Sequence, residues 1–91
     1  PYTAVAGAQI LANTTSTVIT VTLPAAASTG DEVTIIDARG TWGSNNLTVD
    51  RNGLKIISGT SNLTLSNNGQ SITLVYVDST RGWAYKTNYT S

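Results

Sequence analysis

The sequence predicts an all-β domain, and three observations predict it. Apolar residues alternate with period two along most of the chain, as in strands with one buried face. Turn signals built on Gly and Asn recur at spacings of about 8–12 residues, the rhythm of a sandwich or small barrel. No segment carries apolar residues at helical spacing over three turns. The expected architecture is a small antiparallel β-sandwich or jelly-roll-like fold of about eight short strands.

Each element has its own justification. Residues 3–6 and 9–12 read as one or two opening strands. At 18–23 the run Val-Ile-Thr-Val-Thr-Leu puts Ile19, Val21 and Leu23 on one face, with Thr20 and Thr22 on the other. Pro24 ends that strand, because proline cannot donate to a ladder. Residues 24–28, with three alanines, could form a single helical turn. At 32–37, Val33 and Ile35 share a face and Ile36 opposes them. Residues 46–50 point Leu47 and Val49 inward, and 54–57 form a further short strand. Leu63 and Leu65 alternate with Thr64 and Ser66. Residues 71–77 are apolar on both faces, so this strand is expected to be central. Trp83 and Tyr85 alternate in the last strand. Asn52-Gly53 and Asn68-Gly69 are the strongest hairpin turn signals, since type I′ turns want positive φ at both central positions.

Composition narrows the function. The 91 residues make one domain, 1–91, and 11% of them are charged, against roughly 25% in ordinary globular proteins. Lys and Arg total 5, as do Asp and Glu, which leaves no basic footprint for nucleic acid or an anionic membrane. His and Cys are absent, which removes the common zinc, haem and iron–sulfur ligands, catalytic thiols and imidazole triads. No apolar run approaches the length of a membrane span. The expectation is a non-enzymatic chain with no cofactor and no metal. It begins with Pro1 and holds no Met, as a processed product or a segment of a longer chain would. Without a disulfide, a domain this small gains from association with copies of itself.

The candidate sites are few. Asp31, Asp50 and Asp78 sit in or beside turns, where aspartate caps backbone donors. Asp37 ends an apolar strand and is followed by Arg39, a possible ion pair closing that strand end. Asp50-Arg51-Asn52-Gly53 resembles the start of a calcium loop but lacks the further ligands, so a hairpin turn is expected. Trp42, in the turn-rich Gly40-Thr41-Trp42-Gly43, is the aromatic most free to be exposed. It is the one ligand-binding candidate, able to stack on a sugar ring; the alternative is a ring folded back to seal one end of the sandwich. Asn13, Asn46, Asn62 and Asn88 head sequons that arise readily in a chain this rich in Asn and Thr.

The order of motifs resembles a known family. Ile19-Thr20-Val21-Thr22-Leu23-Pro24, Gly30-Asp31-Glu32-Val33-Thr34-Ile35-Ile36-Asp37, Gly40-Thr41-Trp42 and Asn45-Asn46-Leu47-Thr48-Val49 follow one another. Leu74-Val75-Tyr76 and Arg81-Gly82-Trp83 close the series. It resembles a module of tailed-phage virion fibres, notably cyanophage tail-fibre structural proteins, and the N-terminal region of the T-even baseplate wedge protein that connects the short tail fibres. The resemblance spans roughly residues 8–85 and implies a trimeric, β-rich, non-enzymatic module with no catalytic residue to carry over. It implies a protein made in the host cytoplasm and used in the virion, with itself and other tail or fibre proteins as partners. Two other readings stand beside it. One is a receptor- or carbohydrate-binding module of a fibre tip, using Trp42 and nearby loop asparagines on a host surface glycan. The other is a microbial surface-filament or adhesin domain.

Overall fold

The structure is a computed structural model and describes residues 2–89. Eight strands form two four-stranded sheets. They are β1 (Tyr2–Thr3), β2 (Gln9–Ala12), β3 (Ile19–Thr22), β4 (Glu32–Asp37), β5 (Leu47–Asp50), β6 (Leu63–Leu65), β7 (Ser71–Asp78) and β8 (Gly82–Tyr89). The first sheet runs β1-β3-β5-β6 and the second β2-β4-β7-β8. The chain is all-β, as expected. Residues 24–28 form no helical turn, only a bend at Ala25-Ala26, and no helix occurs among the described residues.

The core lies between the sheets and obeys the period-two pattern. Val21, Leu47, Val49 and Leu65 from the first sheet meet Val33, Ile35, Ile72, Leu74, Tyr76 and Trp83 from the second. Tyr76 and Trp83, directly opposite in the β7–β8 ladder, pack edge to face with ring centres 5.5 Å apart. The outward positions of the first sheet are mostly threonines: Thr20, Thr48 and Thr64 are in register across β3, β5 and β6, and Thr22 lies between Thr3 and Asp50.

Strand direction departs from the antiparallel expectation. β1 and β3, β2 and β4, and β3 and β5 pair in parallel, while β4–β7, β5–β6 and β7–β8 are antiparallel. The reason is the length of the connections. Residues 4–8, 13–18, 23–31 and 38–46 are long enough to carry the chain from one sheet to the other. Strands β1 to β5 therefore alternate between sheets, and each returns beside its predecessor in the same direction. That winding is a coil, not a jelly roll. Side-chain alternation is the same in both kinds of ladder, so the sequence pattern carries no direction.

Neither expected Asn-Gly hairpin forms: Asn68-Gly69 lies between β6 and β7, which belong to different sheets, and of that pair only Gly69 has positive φ. Asn52 and Gly53 both have positive φ, and Leu54 N–H donates to Arg51 C=O, as in a type I′ turn. Yet this turn does not join paired strands, because β5 pairs with β6. Residues 55–59 instead cross to the second sheet, where Ile56 bridges Trp83. This replaces the strand expected at 54–57. There the chain reverses through Ile57 and Ser58, at φ 51° and 65°. A β-branched residue in the left-handed region is strained. Gly82 lets this segment dock: a Cβ there would fall 1.8 Å from Lys55 O.

These contacts predict opposite outcomes for two substitutions. Ile57→Asn relieves strain at an exposed position and raises stability by about 1 kcal/mol, visible as a higher Tm. Gly82→Ala drives a methyl into backbone and costs more than about 3 kcal/mol. Thermal denaturation of the two variants checks both.

Candidate functional site

Two regions stand out: a polar end organised by Asp37, and an uncharged edge.

Asp37 ends β4 and is buried, 8% exposed. Its carboxylate accepts four backbone N–H groups. Oδ1 takes those of Arg39 at 3.3 Å and Thr41 at 3.2 Å; Oδ2 takes those of Trp42 at 3.1 Å and Gly69 at 3.0 Å. Burial pushes this carboxyl up, but the amides of Gly69, Trp42, Thr41 and Arg39 together outweigh it and hold the pKa below the ordinary 3.8. The ion pair expected with the Arg39 guanidinium is not formed; Arg39 contributes its backbone amide instead. The remaining turn aspartates act as expected. Asp31 accepts from Ser28 N–H, Asp50 from Asn52 N–H, and Asp78 from Thr80 and Arg81 N–H.

Around Asp37 the loop side chains bond to one another. Thr14 and Thr41 share a hydroxyl–hydroxyl hydrogen bond of 2.7 Å, and Asn45 Nδ2 donates to Thr14 C=O. Gly43 N–H donates to Asn68 Oδ1. Trp42, the sugar-stacking candidate, is wholly buried in the core, so its ring presents no face to a ligand. Its neighbours Asn45 and Asn68 are committed to internal hydrogen bonds. The ring closes the end of the sandwich because Asp37 grips its amide. Among the described residues no cavity of ligand size opens, and no three His, Cys, Asp or Glu side chains gather.

The second region is the outer edge of the coil. β1 and β2 are edge strands of their sheets. On β2, the carbonyls of Ala8 and Ala12 accept from Thr34 and Ala38 of the neighbouring segment. Alternation in a parallel ladder then turns the backbone groups of Gln9 and Leu11 away from β4. Val5 (65%), Leu11 (63%), Val18 (60%) and Tyr2 (49%) are exposed along this winding. Residues 1–30 contain no charged side chain at all. Edge strands are usually blunted by charge, proline or a bulge, and β2 has none of these. The opposite edge, β8, has both devices: a register shift leaves Lys86 unpaired between Tyr85 and Thr87, and Lys86 reaches Glu32 at 2.9 Å.

Sequence reasoning passed over this edge, although its signal, a charge-free first third, was in plain sight. The grip of Asp37 on Gly69, 32 residues away, had no local signal. No protein-family model matches the chain, and no curated protein matches it.

Asp37 yields a stability prediction with a definite sign. Because its folded pKa is lowered, its contribution is complete above 3.8 and is lost as pH falls through the lower folded value. Asp37→Asn turns an NH2 group toward amide donors and costs about 2–4 kcal/mol at neutral pH. The gap between variant and wild type narrows in acid, as urea denaturation at neutral and acid pH will show.

Proposed function

We propose that this chain is a non-enzymatic structural module of a phage tail fibre or baseplate, acting by homotrimeric assembly and attachment to neighbouring virion proteins. It is made in the host cytoplasm and works in the virion. The observation that carries this reading is the uncharged β1–β2 edge, with Val5, Leu11 and Val18 exposed and the strand ladder open. Covering each of these side chains contributes about 1–2 kcal/mol, allowing for the part already packed. Pairing the free groups of Gln9 and Leu11 adds direction and register. A small domain without disulfides gains from a partner what its own core is too small to supply. A second copy suits this edge because an uncharged surface neither attracts charged partners nor repels its own kind. The order of motifs from Ile19 to Trp83 supports the virion setting.

The second reading, a receptor- or carbohydrate-binding module, moves from Trp42 to the threonine face. The hydroxyls of Thr3, Thr20, Thr22, Thr48 and Thr64 have no hydrogen-bond partner among the described residues, and they lie on one face of the first sheet. Chemical-shift changes at these threonines on adding host glycans favour it.

Solution mass across a concentration series tests the main proposal. The expected result is a trimer that Leu11→Lys converts to a folded monomer with an unchanged circular-dichroism spectrum. A wild-type monomer at every concentration, or a variant that still trimerises, overturns it.

A further inference from the structure

We propose that Asn52-Gly53 is a site of spontaneous deamidation, and that its counterpart Asn68-Gly69 is shielded from the same reaction by Asp37. The chemistry needs only water. The amide nitrogen of the glycine loses its proton to solvent base and bonds to the asparagine Cγ. The side-chain nitrogen leaves as ammonia, forming a succinimide. Water then opens the ring to aspartate or isoaspartate. Asn-Gly is the pair in which the attacking nitrogen is least hindered, because glycine has no side chain.

The two sites differ at the atoms that react. Gly69 N–H is held by Asp37 Oδ2 at 3.0 Å, while Asn68 Oδ1 is held by Gly43 N–H at 2.7 Å. Nitrogen and carboxamide are pinned to different partners, and both bonds must loosen before they meet. A carboxylate against that N–H also opposes its ionisation. Around Gly53 the arrangement is reversed. Its N–H has no partner among the described residues, and Asn52 and Gly53 are both exposed. Two charged side chains flank the turn, Asp50 accepting Asn52 N–H at 2.9 Å and Arg51 donating to Leu54 C=O at 3.2 Å, and neither holds Gly53 N–H. The one side-chain bond to break is Asn52 Nδ2 to Leu23 C=O at 3.0 Å, and it belongs to the group that departs.

Conversion has a structural consequence. It removes the tie from this turn to the end of the β3 segment and sets a new carboxylate beside Asp50, whose Oδ1 accepts Asn52 N–H. A chain of zero formal net charge becomes an anion. Age is thereby written at one turn.

Incubating the folded chain at mildly alkaline pH, followed by peptide mapping for isoaspartate, tests this. Asn52 is expected to convert about tenfold faster than Asn68 or more, a barrier difference of about 1.4 kcal/mol. Peptides spanning each pair, which lack the fold, are expected to convert at similar rates. Equal conversion in the folded chain, faster loss at Asn68, or the same preference in the peptides overturns the proposal.

Discussion

One buried carboxylate holds the polar end of this protein together. Asp37 sits where β4 runs out, and four backbone amides from two separate segments converge on its two oxygens. Of those amides, the buried Trp42 N–H would otherwise be left unpaired, at a cost of about 1–3 kcal/mol, and the three part-buried ones add smaller contributions. By fixing Trp42 N–H, the carboxylate also fixes the largest side chain at that end of the core. By fixing Gly69 N–H, it sets the turn from which β7 departs. Its reach extends to Gly69 as a chemical group, since a nitrogen held by an anion is a poor nucleophile.

The coil has a second consequence. Strands that alternate between sheets leave the earliest strand of each sheet with one free side, and here those strands are β1 and β2. The far edge is protected by Lys86 and the register shift beside it. The near edge has no such protection, and its surface is uncharged and partly apolar. The asymmetry is what an assembling module needs: one edge that resists pairing and one that invites it. In a threefold assembly the interface is heterologous, so the open edge of one copy meets a different surface of the next.

Much of this was legible in the residues, and what was not has physical reasons. Alternation of Val33 with Ile35, and of Ile72 with Leu74, gave the strands and their buried faces, because one-sided burial imposes period two. Direction was not legible, since parallel and antiparallel ladders share that period. Asn52-Gly53 announced a type I′ turn correctly, but not that the chain would cross sheets after it. Ile57 and Ser58 hid their turn, because neither residue type favours positive φ. Of the two readings of Trp42, the ring folded back over one end of the sandwich is the one the structure shows; its glycine-rich setting suggests exposure, while the buried carboxylate that draws it inward lies five residues earlier. Asp37 itself was noticed at its strand end, but an ion pair with Arg39 was the simpler local expectation.

Assembly through the uncharged edge is tested most directly by amide hydrogen exchange at Gln9 and Leu11 as a function of protein concentration. These backbone groups face away from β4, so a partner strand is what would protect them. Joining of copies through β2 predicts slow exchange at high concentration and fast exchange on dilution, with the interior amides of β4 and β7 unchanged. Fast exchange of Gln9 and Leu11 at every concentration would contradict it.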